Sequence, residues 1–195
     1  MQVVAAGLTG DDRACVVRRE EYLVVVVADG AGGMAGASAA AEMVVAMLPE
    51  ESLDSATACE QALERLDQEL THVGESTAVV LVLGKDAVWG ASVGDSEAWL
   101  LGDGSAIELT AEQRRKPLLG SGRARPSPFG PRTFRGRLLV GTDGLFKYVT
   151  HERIAQLVVD FVPAVAVQRL TQAARLPSGR LQDDVAVVAV AGLPD

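Results

Sequence analysis

The segment VVVVADGAGG, residues 24–33, limits what this chain can fold into more than any other stretch. Four consecutive valines are β-branched and apolar, which suits a buried strand. The run stops at Asp29, with Gly30 after it, so a carboxylate stands where a rigid apolar strand ends. A bare strand-to-helix turn could use Asn or Ser instead. Related placements recur: Asp95 in VGDSEAWL, Asp143 in GTDGLF, and Asp183 with Asp184 in LQDDVAVV. Asp11 and Asp12 in TGDDRA stand just before another strand. Each taken alone reads as a turn, because Asp and Gly are favoured turn residues. Taken together, carboxylates on several strand ends repel one another if they converge, and convergence then needs a cation. Hard divalent ions accept carboxylates, backbone carbonyls and water.

The order of elements around these turns is strand-rich. Strand-like runs fall near Gln2–Leu8, Arg13–Arg18 and Tyr22–Ala28, and helical stretches near Gly36–Leu48 and Leu53–His72. The second helix carries Leu53, Ala56, Cys59, Leu63, Leu66 and Leu70 at a helical period, and Pro49 parts it from the first. Short strands follow near Thr77–Leu83, Ala87–Val93, Ala98–Leu101 and Ala106–Leu109. The turns GKD, GDS and GDGS between them read as antiparallel hairpins. Residues 111–135, with several prolines and arginines, read as an irregular surface excursion. RLLVGTDG is a further strand, Thr150 caps a helix through THERIAQLVVDF, Pro163–Arg175 is another helix, and DDVAVVAVAG is the last strand. Strands, two helices, strands, two helices and a strand suggest antiparallel sheets with helices packed outside them, not an alternating βαβ chain. No repeat or linker divides residues 1–195, which read as a single domain.

Composition removes several alternatives. A net charge of −8 argues against nucleic-acid and anionic-membrane surfaces, although cations cluster between Arg114 and Arg137. No run approaches the ~20 apolar residues that span a bilayer. The beginning, MQVVAAGLTGDD, lacks the basic region of a signal peptide, so a cytoplasmic location is expected. Cys15 and Cys59 read as buried thiols in a reducing compartment. His72 and His151 sit at helix ends and suit capping or solvent, leaving carboxylates as the plentiful reactive groups.

The ordered set ADGAGG, ESTAVVLVL, ASVGDSEAWLL, ELTAEQ, GTDGLF and DDVAVVAV resembles the metal-dependent protein phosphatases, the type 2C or PPM family of Ser/Thr phosphatases, in a small bacterial form. The resemblance runs from about Leu8 to Ala191. It implies an α+β fold, a four-layer α-β-β-α sandwich of two antiparallel sheets flanked by helix pairs. It implies two Mn2+ or Mg2+ ions, whose activated water hydrolyses phosphoserine or phosphothreonine. Asp29 then bridges the ions, Gly30 offers its carbonyl to one, and Asp143 and Asp183 hold the other. Asp12 and Asp11 act mainly through water, and Asp95 lies near an optional third ion. Asp184 stands where Asn is usual and is expected to tie down neighbouring backbone amides. The segment after LTAEQ, about 111–135, becomes a small flap.

The chain departs from the family in places. AAGLTG has no arginine to grip phosphate, so Arg13, Arg123 or Arg125 is expected to take that task. Ala31 stands where many members carry a general-acid His. Lys147 replaces an acid four residues past Asp143, and is expected to contact Asp95 and exclude a third ion. The leading expectation is a cytoplasmic protein phosphatase acting on a stress-signalling or partner-switching phosphoprotein. The competing one is a pseudophosphatase that binds without turnover.

Overall fold

A computed structural model of the chain describes residues 2–6, 10–31, 36–102 and 104–191. The chain forms β1 (Gln2–Ala6), β2 (Arg13–Arg18), β3 (Leu23–Ala28) and the two-residue β4 (Gly30–Ala31), then α1 (Ala37–Met47), a 3-10 turn and α2 (Ala56–Leu70). There follow β5 (Glu75–Ser76), β6 (Ala78–Leu83), β7 (Ala87–Val93), β8 (Glu97–Gly102), β9 (Ser105–Glu108), β10 (Ser127–Thr133) and β11 (Arg137–Gly141). The chain then makes α3 (Asp143–Phe146), α4 (His151–Asp160), α5 (Pro163–Ala173) and β12 (Val187–Ala191). Leu8, the expected end of the first strand, lies outside the described residues.

One sheet runs β10-β7-β6-β3-β2, the other β1-β12-β11-β8-β9, and β4 pairs with β5 separately. The named strand pairs are antiparallel. Alternation of side chains along each strand assigns them to three cores. Leu23, Val25 and Val27 of β3, with Val79 and Leu81 of β6, meet Leu138, Val140, Val188 and Leu100 of the other sheet in the middle core. The intervening Val24, Val26, Val80 and Val82 pack outward against Ala40 and Val44 of α1 and Leu63 and Leu66 of α2. On the far side Trp99, Leu139 and Val187 pack against Ile154, Leu157, Val167 and Leu170 of α4 and α5. The layers are therefore helices, sheet, sheet, helices. A strand sandwiched on both faces must be apolar throughout, which accounts for the unbroken valines of β3.

Local signals fix the helix starts. Ser55 accepts a hydrogen bond from the Ala58 amide and Thr150 one from Arg153, while Pro163 opens α5 where no amide is needed.

One expectation needs correction. The excursion over 111–135 is not irregular throughout, because residues 127–133 form β10 at an edge of the first sheet. Pro128 and Pro131 lack an amide hydrogen, a loss tolerated only at an edge or a bulge, and the register does shift between Phe129 and Arg132. The prolines that suggest a loop mark an edge strand instead.

Leu138 is fully buried between the sheets, whereas Val159 on α4 is 49% exposed. Leu138→Ala is expected to cost about 2–5 kcal/mol in a urea melt, and Val159→Ala within roughly 0.5 kcal/mol of zero. Equal costs would mean that the middle core is not what holds the sheets together.

Candidate metal centre and active site

Strand register alone brings the aspartates to one end of the sandwich. Arg13 pairs with Ala28, which sets Asp12 beside Asp29. Ala78 pairs with Val93, which sets Thr77 near the turn carrying Asp95. Gly141 pairs with Val187 on one side and Glu97 on the other, which gathers Asp143, the Asp183–Asp184 pair and Asp95 at the same edge.

Hydrogen bonds then tie down the Asp29 backbone and residues next to the other aspartates. The Asp29 amide donates to Thr77 Oγ1 at 3.0 Å, while the Asp29 carbonyl accepts from Ser76 Oγ and the Thr77 amide, each at 2.9 Å. Thr77 Oγ1 also meets Ser96 Oγ at 2.7 Å, linking the end of β3 to the residue after Asp95. Gln113 donates to the Ser96 carbonyl at 2.8 Å and secures that turn from outside. Thr142 Oγ1 accepts from the Ala186 amide at 2.9 Å, so the segments before Asp143 and after Asp184 are joined. Asp184 Oδ2 accepts from the Asp11 amide at 2.9 Å, the kind of backbone tie expected of it. Gly10, at φ +58°, makes this possible: a Cβ there would lie 1.7 Å from Asp184 Oδ2. Gly30 is confined too, since a Cβ on it would lie 2.5 Å from the Ala37 carbonyl oxygen at the start of α1.

The carboxylates so placed burden one another. Asp12 is 1% exposed, and burial, then the charge of Asp29, pushes its pKa up to about 8. The Thr142 hydroxyl, by hydrogen bonding, pulls it part of the way back. Asp29 is pushed up to about 6 by burial, then by Asp143, with smaller contributions from Asp183 and Asp95. Asp12 Oδ2 is buried with no hydrogen-bond partner among the described residues. A buried acceptor left bare beside crowded carboxylates fits a hard divalent cation, which would satisfy the oxygen and offset the repulsion.

As the side chains stand, no three acidic, His or Cys groups among the described residues close around a common point. The cation among them is Lys147. Its Nζ pairs with Asp143 Oδ2 and lies 4.0 Å from Asp183 Oδ2. This corrects the expected Lys147–Asp95 contact: α3 places Lys147 one turn after Asp143, on its own helix, and Asp95 acts on it only as a weaker neighbouring charge.

Arg13 is also placed differently from a free phosphate grip. It donates to the Gly10 and Asp12 carbonyls, to Ser38 Oγ, and to Glu42 Oε1 at 2.9 Å. These bonds brace the acidic turn against α1. The braces Ser76, Thr77, Ser96 and Thr142 were not expected as site residues. Their signal is a small hydroxyl residue within a few positions of, or across the sheet from, each aspartate. Asp67 carries no such signal in the sequence. It is buried on α2, and its carboxylate accepts from the Gly120, Gly122 and Ala124 amides at 2.8, 3.1 and 3.0 Å. The Leu119 amide and carbonyl bond to Ser76, each at 3.1 Å, so the loop after Arg114 is fastened beside the site.

A carboxyl raised in the folded chain keeps a proton that the unfolded chain releases near pH ~4. The metal-free fold therefore loses stability as pH rises from about 4, and the loss is complete once Asp29 has ionised above about 6 and Asp12 above about 8. Thermal melts in chelator are expected to fall between pH 5 and pH 8.5, and added Mn2+ to remove the fall. Asp12→Asn is expected to gain at least roughly 1 kcal/mol at pH 8.5 without metal, the worth of about one pKa unit, and little at pH 4. A flat pH profile of the metal-free protein would contradict the crowding of Asp12 and Asp29.

Neither a protein-family model nor a curated protein matches the chain. Solved structures do. The serine/threonine phosphatase Stp1 from Staphylococcus aureus is 19% identical with a TM-score of 0.79, over 99% of this chain and 94% of that one. The catalytic domain of the serine/threonine phosphatase PstP, solved with two manganese ions, is 20% identical with a TM-score of 0.76, over 96% of each chain. RsbX, solved with magnesium, is 17% identical with a TM-score of 0.73, over 96% of this chain and 92% of that one. The aspartates of this chain thus stand at one end of a sandwich that has the fold of the bacterial metal-dependent serine/threonine phosphatases.

Proposed function

We propose that this chain is a divalent-metal-dependent phosphatase that hydrolyses phosphoserine or phosphothreonine in a protein, its residues 1–195 acting as one domain. The observation that carries the proposal is that Asp12, Asp95, Asp143 and Asp183 all lie near enough to act on the Asp29 carboxyl, in a phosphatase fold, with a buried oxygen of Asp12 left bare beside it. Asp29, Asp143 and Asp183, with the Gly30 carbonyl, would hold two Mn2+ or Mg2+ ions, and Asp11, Asp12, Asp95 and Asp184 would surround them. Such ions supply Lewis acidity toward phosphoryl oxygens and lower the pKa of water, so that no side-chain nucleophile is required.

The remaining work falls to the chain. Thr77 and Ser76 hold the Asp29 backbone and so fix the point from which its carboxylate projects. Asp12 and Asp29 keep protons to a higher pH than ordinary carboxyls while the site lacks countercharge, and an ion held there would favour their ionised forms. The fastened loop supplies a place for the substrate chain. A groove of about 600 Å3 is lined by Arg114, Lys116, Arg123 and Arg125, with Glu75 as its one acid. The Arg114 carbonyl accepts from the Gly94 amide at 3.1 Å, and Glu75 pairs with Ala31, two residues from Asp29, so the groove borders the aspartates. Cations gathered there on a chain of net charge −8 suit a phosphorylated, acidic segment.

We read the substrate as a phosphoprotein of a stress-signalling or partner-switching system, in keeping with the resemblance to small bacterial members. A cytoplasmic location accords with this; no helix among the described residues is long and apolar enough to cross a membrane.

Hydrolysis of an aryl phosphate and of phosphoserine peptides, with Mn2+, Mg2+ or EDTA, tests the proposal. Turnover is expected only with metal, and Asp29→Asn or Asp143→Asn is expected to lower kcat at least about a hundredfold, because each removes charge that holds the ions. Joint Arg123→Ala and Arg125→Ala substitution is expected to raise KM for the peptides and leave the aryl phosphate unaffected. Turnover that persists in EDTA would overturn the metal-dependent reading. No turnover with any ion would leave a binding module of the same fold.

A further inference from the structure

The countercharge already present in the carboxylate cluster comes from the chain itself. Lys147 is the C-cap residue of α3 and keeps helical geometry, with its amide donating to the Asp143 carbonyl at 2.8 Å. That spacing puts its ammonium one turn from the start of the helix and directly on Asp143 Oδ2. The same Nζ lies 4.0 Å from Asp183 Oδ2. Asp143 and Asp183 are the two side chains that the phosphatase reading gives to one ion.

Helical i,i+4 ion pairs are common and weak when both partners are in water. This pair differs in its surroundings. The Asp143 side chain is only 11% exposed, while that of Lys147 is 48% exposed. The carboxylate is therefore fixed within the site, and the ammonium reaches it from solvent on a flexible four-carbon stem. The other ion pairs of the described residues, Arg13–Glu42, Arg19–Glu50 and Arg65–Glu51, join surface carboxylates that lie outside this cluster.

We infer that Lys147 is a tethered cation that occupies the Asp143–Asp183 position whenever no divalent ion is there, and must withdraw before one can bind. The inference rests on the metal-dependent reading above. Its consequence is a pair of unequal sites. An ion held mainly by Asp29 and the Gly30 carbonyl meets no such competitor, whereas an ion on Asp143 and Asp183 must displace a resident charge. A ligand whose binding-competent state is only partly populated binds with an affinity reduced by that fraction. Occupancy of the second position, and with it the working state of the site, then follows the free concentration of the divalent ion.

Calorimetric titration of the whole metal-free chain with Mn2+, alongside electron paramagnetic resonance to count bound ions, tests this. Wild type is expected to bind in two unequal steps. Lys147→Gln is expected to tighten the weaker step roughly tenfold or more, with the tighter step little changed, because a competing unit charge has gone. Lys147→Arg, which keeps the charge, is expected to behave like wild type. In EDTA, Lys147→Gln is expected to melt below wild type, and saturating Mn2+ to close or reverse that gap. Identical affinities for wild type and Lys147→Gln would overturn the role of Lys147 and leave the metal-dependent reading standing. No Mn2+ bound by either protein would overturn both.

Discussion

The repulsion among carboxylates at one end of an apolar sandwich is the constraint on which the rest depends. Two sheets packed face to face through Val25, Leu81, Leu138 and Val188 have little freedom to shift, so their strand ends cannot relax away from one another. Where those ends carry Asp12, Asp29, Asp95, Asp143 and Asp183, the fold itself enforces the crowding. The chain answers it in two ways. It retains protons on Asp12 and Asp29, and it directs the ammonium of Lys147 at Asp143 and Asp183. Both answers are provisional forms of the positive charge that a pair of divalent ions would supply.

Rigidity around the site comes from hydroxyls, carboxylates and the Arg13 guanidinium bonded across neighbouring segments. Ser76, Thr77, Ser96 and Thr142 bind backbone atoms or one another between neighbouring strands, and Asp184 spends its carboxylate on the Asp11 amide. Asp67 does the same for the loop that carries the basic groove. Acidic residues in this protein thus divide by partner. Asp67 and Asp184 are bonded to amides distant in sequence and shape the chain, whereas Asp12, Asp29, Asp143 and Asp183 crowd one another at the strand ends. Such preorganisation matters for phosphoryl transfer, where catalysis is largely positioning and countercharge.

Much of the fold was legible because burial on both faces leaves an unmistakable composition: β3, β6 and β12 are runs of Val, Ala and Leu with little else. The two helix pairs were legible from period, Pro49 and the Thr150 cap. β10 was hidden because Pro128, Gly130 and Pro131 carry the local signature of a loop, and only its edge position reconciles them with a strand. The aspartates could be picked out because each follows or precedes an apolar run. Their supports could not, since the partners are distant in sequence: Arg13 reaches Ser38 and Glu42, and Asp67 reaches residues 120–124. Lys147 stands out in the sequence as a cation where the resembled family has an acid, but its partner depends on which of several nearby carboxylates the helix turns it toward.

The central claim is that these aspartates form one divalent-metal centre, and anomalous scattering from crystals of the chain grown with Mn2+ tests it most directly. The account predicts two manganese peaks at the end of the sandwich, with Asp29 a ligand to both and Asp143 and Asp183 ligands to one. Absence of any peak within coordination distance of Asp29, or manganese bound only elsewhere on the surface, would contradict it.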